Sequence, residues 1–251
     1  VGIRDSNSDS PTTVGVIESI DYDTRAVWRS SPNLHGKLIV NINTGAAVQV
    51  MCSNVAIVGV NDSGKTTLLK LLSGFENPNY GQVFIHGLDM DKRRQETRKL
   101  IGFMPHENDL DPWLTLEQNI RFTANLYKVS KSTASARILR YADALNLTQY
   151  LNELAMNVSH GTQKKTMLVR ELVHDPDVLI MDEPTGYMDA ESIRLTWDLL
   201  KELKGNKTIV YVSNALVEIE QAHDRILVFH EGQILMDGHL DKLLESTLDY
   251  H

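Results

Sequence analysis

The sequence predicts an α/β fold around a mainly parallel sheet covered on both faces, and three observations lead there. Short apolar, β-branched runs recur along the chain as NVAIVGV, QVFIHG, IGFMP, VLIMD, TIVYVS and RILVFHEG. Helical stretches separate most of these runs, and parallel strands need such crossovers. A glycine-rich loop, GVNDSGKTT at positions 59–67, joins the first run to a helix, the place where an α/β sheet offers backbone N–H groups to an anion.

VGIRDSNSDSPTT lacks an initiating Met and is rich in Ser and Asp, so residues 1–13 read as a flexible tail or the cut edge of something longer. Residues 14–251 then form one domain with subdomains, and 42% hydrophobic with 23% charged residues is enough for a sizeable core. Between Val14 and Val58 the clusters VGVI, LIVNI and VQV, broken by SSPN and NTG, suit a small sheet with turns. After the glycine loop, TTLLKLLSG is a helix with one apolar face that stops at Gly74. Residues 114–157 carry Ala, Leu, Ile and Tyr at amphipathic spacing with few strand signals. They read as a helical subdomain inserted in the sheet, about 106–165 with its flanks.

A formal charge of -8 with no long Lys/Arg run argues against a nucleic-acid surface, which needs clustered cations. The single Cys52 cannot form an internal disulfide; its neighbours Val50 and Met51 suggest a buried strand and a reducing cytosol. The apolar runs fall far short of the roughly 20 residues of a membrane helix, and no signal peptide opens the chain. The chain is therefore not expected to cross a bilayer by itself. His86, His223, His230 and His239 show no metal-ligand spacing and read as surface or satisfied core residues.

The loop fits G-x-x-x-x-G-K-[ST] as Gly59, Gly64, Lys65 and Thr66, between a strand and a helix as the chemistry requires. Asn61, Asp62, Ser63 and Thr67 complete it. Its amides can ring a β-phosphate, Lys65 can reach the β- and γ-phosphates, and the Thr66 hydroxyl can ligate Mg²⁺. The acidic Asp62 is out of place beside a triphosphate. It is tolerable if the position is left-handed, where Asp fares better than most residues, and if the carboxylate points to solvent. VLIMDEP supplies a second metal anchor, Asp182, and a base, Glu183. Strand alternation places Glu183 on the other side of the strand, where it could polarise an attacking water.

With these motifs in order, the sequence from about Val55 onward resembles the nucleotide-binding domains of ABC transporters. The matching segments are GVNDSGKTT as Walker A, IGFMPH ending in the Gln loop, VSHGTQKK as the signature, VLIMDEP as Walker B, TGYMD as the D-loop and VYVSN as the switch strand. The resemblance implies a P-loop fold of ABC type: a mixed, mainly parallel core with an antiparallel β subdomain and an inserted helical subdomain. It implies ATP and Mg²⁺ as ligands, with Ser159 and Gly161 of the signature acting on the ATP of an opposing subunit. It also implies a transmembrane permease subunit as partner, a second ABC ATP-binding domain, and a peripheral position at the cytoplasmic face of a membrane. The GVN opening, the S-x-G signature and PHENDLDPWLTLEQNIRF look more like exporters than importers.

The departures from the family pattern are informative. His106 stands where the family has the Gln that senses Mg²⁺, water and the membrane partner; Asn214 stands at the switch His. His160 and Thr162 replace signature residues, and Asp62 replaces a usual glycine. Such substitutions are expected to impair hydrolysis, with Glu183, His106 and Asn214 as the catalytic set. Two weakened half-sites point to pairing with a different, more regular cassette. A nucleotide-gated regulatory or structural subunit with little hydrolysis of its own is the alternative. A soluble cassette of translation or DNA repair would bring two cassettes or a long coiled coil, and the chain shows neither. Trp113 falls where relatives dock a coupling helix, or is a core aromatic; Tyr22 and Trp28 are candidates for stacking on adenine.

Overall fold

The computed structural model describes residues 37–41, 47–51, 54–78, 82–214, 216–219 and 225–239. The expected tail, Tyr22, Trp28, Cys52 and His223 lie outside them. In chain order run β1 (Lys37–Asn41), β2 (Ala47–Met51), β3 (Asn54–Val58), α1 (Lys65–Leu72), β4 (Gln82–Ile85) and β5 (Leu88–Asp89). Next come α2 (Arg94–Lys99), β6 (Ile101–Met104), α3 (Leu116–Leu126), α4 (Lys131–Ala144) and α5 (His160–Leu172). The last are β7 (Val178–Asp182), α6 (Ala190–Leu203), β8 (Thr208–Val212), α7 (Leu216–Ile219), β9 (Arg225–His230) and β10 (Gln233–Gly238).

β3, β7 and β8 are apolar along nearly their whole length because both faces of their sheet are covered. Val55, Ile57, Ile180, Val210 and Val212 enter one core with Leu68, Leu69 and Leu72 of α1. Their alternates Ala56, Leu179, Met181, Ile209 and Tyr211 enter the other, with residues of α3 to α6. The sheet runs β10-β9-β3-β8-β7-β6, parallel except for β10 against β9. Side by side in it, β6, β7 and β8 deliver the chain segments after Met104, Asp182 and Val212 to one end.

One strand departs from the sequence reading. QVFI, grouped above with the parallel strands, pairs antiparallel with β1 and β5 in a separate sheet ordered β2-β1-β4-β5. The pairing with β5 has a local reason: His86 (φ 49) and Gly87 (φ 78) both take left-handed backbone between the paired Ile85 and Leu88. Two central residues with positive φ make the tight hairpin turn that reverses a strand.

Helix starts follow side-chain caps. Thr115 opens α3 with a capping box: Thr115 Oγ1 accepts from the Gln118 amide at 3.1 Å and Gln118 Oε1 accepts from the Thr115 amide at 2.8 Å. Ser130 caps α4, Ser159 caps α5 and Asp189 caps α6 in the simpler way. α3, α4 and the short turns Thr148–Tyr150 and Ala155–Asn157 all lie between β6 and β7.

Past the end of α5, His174 stacks on Tyr127 with ring centroids 3.8 Å apart, and its Nε2–H donates to the Ile101 carbonyl at 3.1 Å. Its Nδ1 is buried without a hydrogen-bond partner. Burial holds this imidazole neutral, pushing its pKa down to about 4. A folded-state value below the unfolded one gives stability that is full above the ordinary pKa of 6.5 and fades as pH falls towards 4. The expected result is a loss of about 3 kcal/mol between pH 7 and pH 4 from this group alone. Urea unfolding across that range should show a shallower pH slope for His174→Phe; an unchanged slope would remove His174 as the cause.

Candidate functional site

The glycine loop follows β3 because the apolar strand ends at Val58 and the chain must turn into α1 without side chains in the way. A Cβ on Gly59 would lie 2.1 Å from the Phe229 carbonyl oxygen of β9, so only glycine fits against that strand. Gly64 has φ 99 as the residue before α1, and its carbonyl accepts the Leu68 amide at 2.9 Å. Asp62 is also left-handed, at φ 61, and exposed. Its acidic side chain is thus accommodated by backbone geometry that Asp tolerates better than most residues.

Lys65 is buried and its ammonium donates to the Gly59 and Val60 carbonyls at 2.8 and 2.7 Å. The Thr66 hydroxyl donates to Asp182 Oδ2 at 2.7 Å, tying the start of α1 to the end of β7. The Ser63 hydroxyl is buried inside the loop with no hydrogen-bond partner. An orphaned donor in the cradle, a lysine beside it, and paired hydroxyl and carboxylate oxygens fit a phosphate with a hard divalent cation such as Mg²⁺. Asn61, Asp62, Gly64, Lys65, Thr66 and Thr67 share one cleft of ≈ 400 Å³ with His106, Asp182, Glu183 and Asn214. Gly59 and Ser63, of the same loop, are not among the residues lining the cleft.

Glu183 does not sit where strand alternation put it. β7 ends at Asp182, and Glu183 takes φ 47, so the two carboxylates line the same cleft instead of opposite faces. The alternation of sides holds only while the backbone stays extended. Glu183 Oε1 accepts from Asn214 Nδ2 at 2.9 Å, and Oε2 lies 3.3 Å from His106 Nδ1. Two of the residues that depart from the family pattern, His106 and Asn214, thus meet on one carboxylate, from the strands on either side of β7.

Ser159 and Gly161 lie apart from this cleft, in a second one of ≈ 280 Å³ with Thr162, Lys165 and Tyr187. Ser159 Oγ accepts from the Thr162 amide at 3.1 Å, which leaves the hydroxyl at the exposed N-terminus of α5. A Cβ on Gly161 would lie 2.9 Å from the Tyr187 carbonyl oxygen, so the signature glycine is required by the TGYMD turn packed over it. His160 meets Tyr187 edge-on at 5.6 Å. Trp113 is 72% exposed and is no part of the core.

Sequence reasoning missed Lys164. Its ammonium donates to the Pro105 carbonyl at 3.2 Å and to the His106 carbonyl, with the residue only 2% exposed. Burial lowers its pKa, while Asp182 and Glu183 act the other way. The pair Lys164–Lys165 in VSHGTQKK was the available signal, on a helix buried without a break from Gly161 to Val169. Behind Asn214, the Ser213 hydroxyl donates to the buried Glu218 carboxylate of α7. Burial raises the Glu218 pKa.

The family profile described as ABC transporter matches residues 51–186, more than half of the 251-residue chain. ABC transporter ATP-binding protein NatA of Bacillus subtilis is 30% identical over 194 residues, 76% of this chain and 79% of that protein. Nod factor export ATP-binding protein I of Burkholderia orbicola is 31% identical over 214 residues, 84% of this chain and 69% of the relative. A solved structure described as the ATP binding subunit of an ABC transporter superposes with a TM-score of 0.76 at 24% identity, covering 84% of this chain and 93% of that one. That likeness is one of fold.

Proposed function

Because the chain belongs to the ABC transporter family of ATP-binding domains, we propose that it is the ATP-hydrolysing subunit of a transporter that exports its substrate. The observation that supports this most directly is the single cleft in which Lys65, the Thr66–Asp182 pair and Glu183 converge. ATP is the substrate of that cleft. Lys65 exchanges its loop carbonyls for the β- and γ-phosphates, and the loop amides with the Ser63 hydroxyl complete the cradle. Thr66 and Asp182 hold Mg²⁺, which when bound neutralises charge on the phosphates. Glu183, hydrogen-bonded to Asn214 and approached by His106 at 3.3 Å, orients water and accepts its proton.

The same reading takes residues 14–251 as one ATP-binding domain with a helical subdomain about 106–165. Ser159 and Gly161 face away from the chain's own cleft, which suits a role towards the ATP of a second ATP-binding domain. The altered residues His106, His160, Thr162 and Asn214 favour a different chain as that second domain. The partner that moves cargo is a transmembrane permease subunit. No helix among the described residues is long and apolar enough to span a membrane, which suits a peripheral position on its cytoplasmic face. The export direction draws support from the resemblance to Nod factor export ATP-binding protein I. The substitutions in the signature and at His106 and Asn214 also favour a second reading, a regulatory subunit that binds ATP and barely hydrolyses it.

ATP turnover, measured on the chain alone and on the membrane complex it copurifies with, tests the proposal. Turnover in the complex that exceeds that of the chain alone is expected. Failure of the chain to bind ATP would overturn both readings, whereas binding with no single-turnover hydrolysis would leave the regulatory one.

A further inference from the structure

Glu183 lies one residue past β7 with its amide still donating to the Val212 carbonyl at 3.0 Å, so the backbone at φ 47 fixes where the side chain starts, and what holds the carboxylate decides where it ends. Asn214 takes one oxygen from beyond β8 and His106 takes the other from beyond β6. His106 in turn is held from α5. Lys164 donates to the carbonyls of Pro105 and His106, and Asn108 Nδ2 donates to Gln163 Oε1 at 3.1 Å. Two consecutive residues of α5 therefore grip residues 105–108, the stretch that carries the imidazole.

A nearly fully buried ammonium whose partners are carbonyls is a costly way to fill space, since burying a charge is unfavourable without strong compensation. A neutral side chain of similar length would pack at that place without the cost. What the charge adds is a firm hold on two carbonyls of one short segment. α5 begins at Ser159, the exposed cap of the signature helix. A shift of this helix would carry Lys164, the His106 main chain and then the imidazole with it.

We propose that His106 is a positioning residue for Glu183, and that Lys164 and Gln163 make its placement follow α5. The proposal rests on the reading of Glu183 as the base. Through it, contact made at the Ser159 end of the helix is transmitted inside one chain to the carboxylate that handles water. Asn214 steadies the other oxygen independently of α5.

The test is carried out on the full chain labelled with ¹⁵N-histidine, at one pH and without nucleotide, with the His106 ring signals assigned through His106→Gln. Glu183→Gln should move those signals, and so should Lys164→Met, whereas Lys164→Arg should restore them towards wild type. Turnover in the membrane complex should fall about tenfold or more in kcat for His106→Leu and for Lys164→Met, with KM for ATP little changed. Lys164→Gln serves as the neutral variant if Lys164→Met fails to fold. Ring signals indifferent to Glu183→Gln would overturn the pairing, and signals indifferent to Lys164→Met would overturn the link to α5. Absent turnover with responsive ring signals would count against hydrolysis while leaving the contact relay in place; normal turnover in His106→Leu would do the reverse.

Discussion

Replacing Glu183 by Gln should lower ATP turnover of the complex about 10²- to 10³-fold while leaving ATP affinity within a few-fold of wild type. The amide keeps the size of the carboxylate and can still accept from Asn214, whose donor is 2.9 Å away. It cannot take a proton from water. The phosphate-facing groups of residues 59–67 are untouched, so binding survives. Paired measurements of turnover and of equilibrium ATP binding separate the two effects. Unchanged turnover with intact binding would assign the chemistry to the partner's site and make this chain the regulatory half.

Gly59→Ala is expected to do damage of a different kind, in both folding and binding. The new methyl would sit 2.1 Å from the Phe229 carbonyl oxygen and 3.0 Å from Ser63 Oγ. The carbonyl belongs to β9, which is paired with β3 on one side and β10 on the other, so it cannot swing aside. The loop must lift or the strands must part. A stability loss of about 2–3 kcal/mol and a fall in ATP affinity of about tenfold or more follow from such overpacking. Gly186→Ala is the control, since its Cβ would meet only the Glu183 carbonyl at an ordinary 3.4 Å. Urea unfolding and calorimetric ATP titration measure both quantities. Wild-type affinity in Gly59→Ala would show that the approach of β9 does not shape the cradle.

Much of the site was legible because its motifs act over short distances along the chain. A glycine loop between a strand and a helix makes its own backbone donors, and an apolar strand ending in Asp-Glu presents carboxylates where the ladder stops. The place of Asp62 was legible for the same reason, as a left-handed position that acidic residues tolerate. What escaped was decided by single left-handed backbone positions and by neighbours distant in sequence. QVFI has the composition of a central parallel strand, and pairing with the distant β1, and with β5 through the turn at His86 and Gly87, placed it elsewhere. Glu183 lost its expected side because the strand had ended one residue earlier.

The sequence by itself determined the family, the α/β class and the glycine loop with its lysine and threonine between a strand and a helix, because each is carried by local pattern and by backbone geometry within a few residues. It could present His106 and Asn214 only as two separate departures, 108 positions apart along the chain. The tertiary structure decided that they share one carboxylate, since the order β8-β7-β6 brings their strand ends to either side of Glu183. It also decided that Lys164 is buried against the His106 main chain. Contacts of that kind arise from strand order and helix packing, which bring together residues that no spacing rule connects.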